Sequence, residues 1–331
     1  MDKFKALYIE EAEGQVQTQV KEIGLDQLGQ GDTIIKVHYA SLNYKDMLAT
    51  QPGAGVVRSY PMIPGIDLAG EVVESQSGHF QVGQLVVGIG ASIGVSHTGG
   101  LSQYARLPHE WVLPLPDSIS PQDAMKVGTA GLTALLSVLK LEKAGMSAET
   151  DPKILVTGAS GGVGSVALSI LKAKGYQQRL ALTRKDYQDS FVRELGATDI
   201  VKPDQIFLKE KPILLKGVYD YVLDTVGGKV ASHLLAQIAY DGAMSLCGNA
   251  GGLEVNTTVM PFILRAVSAI GVDITQVPRD LYQTLWGIYA QELRSVIDSI
   301  AYDEVTLDQV LEIIDKLKNG DHLGRTIVKI A

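Results

Sequence analysis

The sequence predicts an α/β protein of two domains, one rich in β-strands and the other a doubly wound parallel sheet flanked by helices. Three observations carry that reading. Residues 1–126 are dense in β-formers, glycine and proline. After Asp151-Pro152 the texture changes to short apolar runs alternating with helical stretches. Near the C-terminus a strand-like segment, Arg325–Ile330, needs a sheet to join.

Taken in order, Ile34–His38 alternates roughly as a strand, Glu71–Glu74 reads as a second and Leu85–Val87 as a third. Pro61, Pro64, Gly65, Gly78 and Gly83 punctuate them, so this part is mainly β with few helices. A long helix starts near Pro121-Gln122-Asp123 and runs through Leu132–Leu139. Ile154–Thr157 is a short apolar run of the kind that fills buried parallel strands; a glycine cluster and a helix over Val163–Lys174 follow it. Leu180–Thr183, Asp199–Val201, Tyr219–Leu223, Ala243–Cys247 and Val267–Val272 supply further strands, with helices over Asp186–Leu195 and Lys229–Ile238. From Pro278 long helices return before the last strand, for which the N-terminal β-rich part is the host.

Length and composition agree with this division. A chain of 331 residues suits two domains, and 46% hydrophobic with 20% charged residues is the balance of a folded globular protein. The 29 basic residues against 37 acidic ones leave a net charge of −8, which disfavours nucleic acid and anionic membrane surfaces as partners. Cys247 is the single cysteine, so no internal disulfide or cysteine-rich zinc site can form, and a cytoplasmic location is expected. Met1–Lys5 leads into Ala6–Glu13 without the apolar core of a signal peptide, and no uninterrupted apolar run reaches the ~18 residues of a membrane span.

The most informative segment is Val156-Thr157-Gly158-Ala159-Ser160-Gly161-Gly162-Val163-Gly164. It lies where a strand turns into a helix, so its glycines let backbone N–H groups and the helix dipole approach a diphosphate. The strict spacing is Gly-x-Gly-x-x-Gly, and here Ala159 takes the first position ahead of Gly161 and Gly164. In isolation such a cluster is weak evidence, since a ligand-free βα turn accounts for about a third of such matches; the repeated strand–helix order after it favours a dinucleotide. The end of the second strand decides which one. An acidic residue there would favour NAD. Thr183-Arg184-Lys185 instead offers a hydroxyl and two cations, which suit the 2′-phosphate of NADPH, while Asp186 reads as the cap of the next helix.

Four separated motifs then carry a resemblance. Ser41-Leu42-Asn43-Tyr44-Lys45-Asp46, Pro61–Gly70, Gly128–Ala134 and Met260–Arg265 resemble the medium-chain dehydrogenase/reductase superfamily, in its zinc-free quinone-oxidoreductase branch and the acrylyl-CoA reductase subgroup. The resemblance implies a chaperonin-10-like β-rich catalytic domain, residues 1–126 and 278–331, and an inserted Rossmann NADP-binding domain, residues 127–277, with ligands between the two. It also implies homodimers joined edge to edge through Val267–Val272. Zinc-dependent relatives carry a cysteine near Asn43 and Gly-His-Glu near Gly65-Ile66-Asp67; both are absent, the six histidines show no ligand spacing, and no metal is expected.

By the same matching, NADPH is the cofactor, with Ser160, Gly161, Gly162 and Val163 on its diphosphate and Thr183, Arg184 and Lys185 on its 2′-phosphate. Cys247 and Asn249 end the fifth strand beside the nicotinamide ribose, with Ile263 and Asn319 as further contacts. Cys247 is read as packing and not as a nucleophile. Tyr44, which contacts NADP in related reductases, is the first choice for the catalytic shell because a phenol can donate a hydrogen bond or a proton. Asn43 and Asp67 complete that shell, Asp67 as a carboxylate that orients a neighbour. Arg58 and Arg325 are placed near the phosphate or carbonyl of an acyl-CoA, as cations otherwise solvated at the surface. The expected reaction is reduction of a conjugated C=C bond in a short enoyl-CoA such as acrylyl-CoA: hydride reaches the β-carbon, and the enolate is protonated at the α-carbon. Reduction of a quinone or carbonyl is the alternative, and a non-catalytic nucleotide-binding protein is the alternative of another class.

Overall fold

The structure, a computed structural model, describes residues 3–12, 15–208 and 213–330 and divides into two units. The first unit comprises Met1–Thr129, Thr275–Glu292 and Ala301–Ala331, and the second Ala130–Ile274 and Leu293–Ile300.

In the first unit, β1 (Phe4–Ala12) and β2 (Gln15–Ile23) pair as an antiparallel hairpin. Next come β3 (Thr33–Leu42), the short helix α1 (Tyr44–Ala49), β4 (Asp67–Ser75), β5 (Leu85–Ile89), β6 (Tyr104–Leu107) and β7 (Val112–Pro114). Ile35, Val37, Leu68, Val72 and Val86 alternate inward from neighbouring strands and pack into one buried cluster. Helix α2 (Pro121–Lys143) breaks at Gly128, whose φ of 51° and ψ of −163° are not helical. By length and composition α2 could span a membrane, but 83% of its most apolar window is buried inside the fold, the signature of a core helix.

The second unit is the doubly wound sheet. Strands β8 (Lys153–Val156), β9 (Gln178–Leu182), β10 (Asp199–Val201), β11 (Tyr219–Asp224), β12 (Ile238–Leu246) and β13 (Ser268–Gly271) are linked by α3 (Gly162–Ala173), α4 (Tyr187–Glu194), α5 (Pro203–Ile206), α6 (Gly228–Leu235) and α7 (Met260–Arg265). All pairings are parallel, in the order β10-β9-β8-β11-β12-β13. Numbered within the unit, that order is 3-2-1-4-5-6, and it reverses direction between β8 and β11. Leu155, Leu180, Val222, Leu234 and Met244 form the core under the helices.

The chain then returns through α8 (Arg279–Gln291), places α9 (Arg294–Ser299) against α3, and closes with β14 (Tyr302–Thr306), α10 (Val310–Asn319) and β15 (Arg325–Lys329). β15 pairs antiparallel with β3 and parallel with β14, so the last strand joins the N-terminal sheet. Two details differ from the sequence reading. The tail does not all return to the first unit, because Leu293–Ile300 belongs to the second. Its helices are moderate in length, 13, 6 and 10 residues, because Leu293, Ile300 and Gly320 interrupt them.

Candidate active site

Each unit gathers its functional residues at one place. In the second unit the carboxyl ends of β8 and β11 flank the reversal of strand order, where open α/β sheets bind ligands. Gly158 has φ +55°, and a Cβ on it would lie 2.2 Å from Thr225 Oγ1. Gly164 packs so closely that a Cβ would come within 2.4 Å of the Gly158 carbonyl oxygen. The backbone therefore needs glycine at 158 and 164, and Gly158 supplies the tight turn just before Ala159, the first position of the strict spacing. Gly161 caps α3 and closes the preceding turn by donating its N–H to the Gly158 carbonyl at 2.9 Å, and the first N–H groups of α3 have no helical acceptor. Those donors fit a diphosphate.

A second loop is fastened to this one. Asp224 Oδ1 accepts the Thr157 hydroxyl at 2.6 Å, and Oδ2 accepts Gly227 N–H at 2.7 Å. Thr225 donates its N–H to Thr157 Oγ1 at 3.0 Å and its hydroxyl to the Thr157 carbonyl at 2.9 Å. Burial pushes the Asp224 carboxyl up, against the hydrogen bonds from Thr157 and Gly227. Sequence reasoning missed Asp224 because a carboxylate ending an apolar strand has no signal of its own.

At the end of β9, Thr183 is buried and donates to Asp189 Oδ1 at 2.6 Å. Arg184 and Lys185 turn outward while their N–H groups bond the Gln188 side chain at 3.1 and 3.2 Å. A third cation, Lys202 at the end of β10, stands 3.1 Å from Thr183 Oγ1. It reaches the β9 end because Val201 pairs with Leu182. Asp186 does not cap α4 with its side chain; it lies in solvent and pairs with Lys202 at 3.1 Å, since its backbone is already helical (φ −63°, ψ −32°). Cys247 follows β12, its thiol donating to the Asp224 carbonyl at 3.3 Å, and burial pushes the thiol up to about 12. Asn249 and Ile263 are exposed.

In the first unit, α1 begins at Asn43, and Tyr44 occupies its first turn with 40% of its surface exposed. Asp67, fully buried at the start of β4, accepts Ser41 N–H at 3.1 Å, Ser41 Oγ–H at 2.6 Å, Asn43 Nδ2 at 3.1 Å and Thr129 N–H at 2.8 Å. Arg325 lies against the same group. Its Nη2 donates to Ser41 Oγ at 2.6 Å and Nη1 to Asn43 Oδ1 at 3.1 Å, and its remaining donors reach the carbonyls of Leu42, Met125 and Lys126. This corrects the expectation of a surface cation near an acyl-CoA: Arg325 is 1% exposed, with its donors spent inside the protein. Gly128 lets the cluster close, because a Cβ there would lie 2.6 Å from Arg325 Nη2 and 2.7 Å from Asp67 Oδ2. Asp46 ties α1 to the turn before β4: it accepts Asn43 N–H at 2.8 Å, Gly65 N–H at 3.1 Å and Ile66 N–H at 3.0 Å. Burial, then the Asp67 charge, pushes the Asp46 carboxyl up to about 7. The structure thus gathers Asn43, Asp67 and Arg325, and adds Ser41, Asp46, Gly128 and Thr129. Arg58 and Asn319 stand elsewhere, exposed.

Comparison with known proteins places these features in a class. Residues 29–117 match the family described as Alcohol dehydrogenase GroES-like domain, and residues 162–291 match Zinc-binding dehydrogenase, the pair that defines a medium-chain dehydrogenase/reductase. The second description names zinc, and the residues here do not fit it. The donors around Asp67 are amide, hydroxyl and guanidinium, and among the described residues no three His, Cys, Asp or Glu side chains come together as a metal site.

Among individual relatives, an acrylyl-CoA reductase, AcuI, of Ruegeria pomeroyi is 37% identical over 99% of each chain. YhfP of Bacillus subtilis, provisionally named a quinone oxidoreductase, is 38% identical, and its crystal structure with NAD bound matches with a TM-score of 0.93 over 99% of this chain and 100% of that one. The YhdH oxidoreductase of Salmonella enterica, solved in complex with NADP, is 40% identical with a TM-score of 0.93, again over 99% of this chain and 100% of that one. The chain belongs to the quinone-oxidoreductase branch of the medium-chain dehydrogenase/reductases, in the subgroup of YhdH, YhfP and the acrylyl-CoA reductases.

Proposed function

We propose that the protein is an NADPH-dependent reductase of a conjugated C=C bond, acting on a short enoyl-CoA such as acrylyl-CoA. The observation that carries the nucleotide is the cradle of Gly158, Gly161 and Gly164 where the strand order reverses, and the acrylyl-CoA reductase among its relatives supports the substrate class. When bound, NADPH supplies a hydride for the β-carbon of the acyl group.

The chain's own residues do the rest. N–H groups from Ser160 to Val163 hold the diphosphate, and Thr183, Arg184 and Lys185 take the 2′-phosphate. The backbone at Cys247 and Asn249, with Ile263 and Asn319, completes the cofactor contacts. Tyr44 donates its one O–H hydrogen bond to the substrate carbonyl oxygen as charge moves onto it and so stabilises the enolate, whose α-carbon then takes a proton from solvent. Asp67 and Arg325 hold both ends of the Asn43 amide, which fixes the start of α1 and with it Tyr44. Arg58 serves the phosphates of the thioester carrier. The exposed edge strand β13 is the surface through which two copies pair, and the enzyme works in the cytoplasm.

The deciding experiment follows NADPH oxidation with acrylyl-CoA and, separately, with a simple quinone. Turnover of acrylyl-CoA that falls at least tenfold in Tyr44→Phe is the expected result. Turnover of the quinone alone would replace this reading with quinone reduction, as the name of YhfP suggests.

A further inference from the structure

The end of β9 carries more than the two cations that its sequence displays. Lys202 has three donors, and all three are engaged: Thr183 Oγ1 at 3.1 Å, Asp189 Oδ1 at 2.9 Å and Asp186 Oδ1 at 3.1 Å. Its two carboxylates are held very differently. Asp189 also accepts the Thr183 hydroxyl at 2.6 Å and is part of the local framework. The Asp186 side chain is 99% exposed, with the Lys202 ammonium as its contact, so it can swing away without disturbing the fold.

We propose that Lys202 and Asp186 together set the coenzyme preference: Lys202 is a further cation of the 2′-phosphate site, and Asp186 is the internal carboxylate that competes with that phosphate for it. This rests on the reading that Thr183–Lys185 receives the adenosine ribose. With NADPH, the dianionic phosphate takes the donor that Asp186 held, and Asp186 rotates into solvent. With NADH there is no phosphate, Asp186 stays on Lys202, and its free oxygen can accept the ribose 2′-hydroxyl, the role an acidic residue plays at this position in NAD-binding sheets. Three cations (Arg184, Lys185, Lys202) face two carboxylates (Asp186, Asp189), so the site attracts phosphate without rejecting a hydroxyl. The hydrogen bond that Lys202 donates to Asp189, together with the one it donates to Asp186, holds the ammonium above its ordinary pKa, so the cation is present throughout the neutral range.

The test is the ratio of dissociation constants for NADPH and NADH, read by fluorescence titration of the full chain. Lys202→Gln is expected to weaken NADPH about tenfold, equivalent to ~1.4 kcal/mol, and to leave NADH within about twofold. Asp186→Asn is expected to do the reverse, tightening NADPH and weakening NADH so that the ratio shifts about fivefold toward NADPH. Lys202→Arg should keep the wild-type preference. Ratios unchanged in both Lys202→Gln and Asp186→Asn, with both nucleotides still bound, would overturn the proposal and leave the reductase reading standing. A wild-type chain that binds neither nucleotide would overturn both. Should Lys202→Gln fail to fold, the exposed Asp186→Asn decides alone.

Discussion

Arg325 and Asp67 are opposite charges with 1% and 0% exposure, and neither is stabilised by solvent. Ser41 links them, giving its proton to Asp67 and accepting from Arg325, while Asn43 bridges them through both ends of its amide. Removing one member of such a buried network strands the other's charge, a cost of about 3–5 kcal/mol. Arg325→Met should lower the urea unfolding free energy by that amount; a loss below ~1 kcal/mol would show that the cluster is dispensable. Two neighbouring groups respond to pH with opposite signs. Burial, and then Arg325, pushes His322 down to about 4. As pH falls below about 6.5 the unfolded chain takes up that proton and the folded chain does not. His322 therefore contributes stability that is present above about 6.5 and is lost, by at most about 3 kcal/mol, on approach to pH 4. Asp46, raised to about 7, works the other way: the unfolded chain releases its proton near pH 4 and the folded chain keeps it, so stability is lost as pH rises through about 7. In His322→Gln the first effect disappears, and unfolding midpoints should decline steadily between about pH 4 and 7 more than in the wild type. Little of this network was legible beforehand. Asn43 and Asp67 stood out by motif, but the burial of Arg325 depends on a strand pairing some 280 residues away in sequence, which no local pattern reveals.

Helix α2 shows what an element conceals in its sequence. Its apolar texture predicts a helix from Pro121 onward, and that helix is present, yet Gly128 breaks it where the polar cluster needs room. Alanine at 128 would suffer twice, from a positive φ and from three side-chain atoms within 2.8 Å. Gly128→Ala should cost about 2–5 kcal/mol, adding left-handed strain of ~1–2 to overpacking of ~1–3. Gly287 in α8 is the control: nothing lies within 4 Å of its Cβ position, and Gly287→Ala should gain about 0.5–1 kcal/mol by helix propensity alone. Thermal midpoints moving in the same direction in both variants would refute this account. The parallel strands were legible because burial on both faces leaves continuous apolar runs, such as Ile154–Val156. The β1–β2 hairpin was not, because β2 lies half in solvent, with Gln15, Gln17, Gln19 and Glu22 exposed. The register that brings Lys202 beside Thr183 was hidden for another reason: parallel partners lie far apart in sequence.

At the scale of the whole molecule the two units use the chain in different ways. The strands of the second come from one continuous stretch, Lys153–Gly271, joined by crossovers that keep every pairing parallel. The first unit is assembled from both ends of the sequence, and β15 is the join: it pairs with β3 over Thr326–Lys329 and is the strand to which β14 bonds. It also carries Arg325 into the Asp67 cluster. Deleting residues 321–331 removes these interactions together. It leaves β14 without its partner, opens one edge of β3 and strands the Asp67 charge without the guanidinium. No strand of the second unit is touched, so the consequence should be confined to the first. Hydrogen exchange followed strand by strand is the measurement, because it reports the opening of each region separately. Amides of β3 and β4 should lose protection in the truncated chain, while those of β8, β9, β11 and β12 keep the protection they have in the full chain. Equal loss in both sets would mean that the units stand or fall together, and no loss in either would mean that the first sheet does not depend on its final strand.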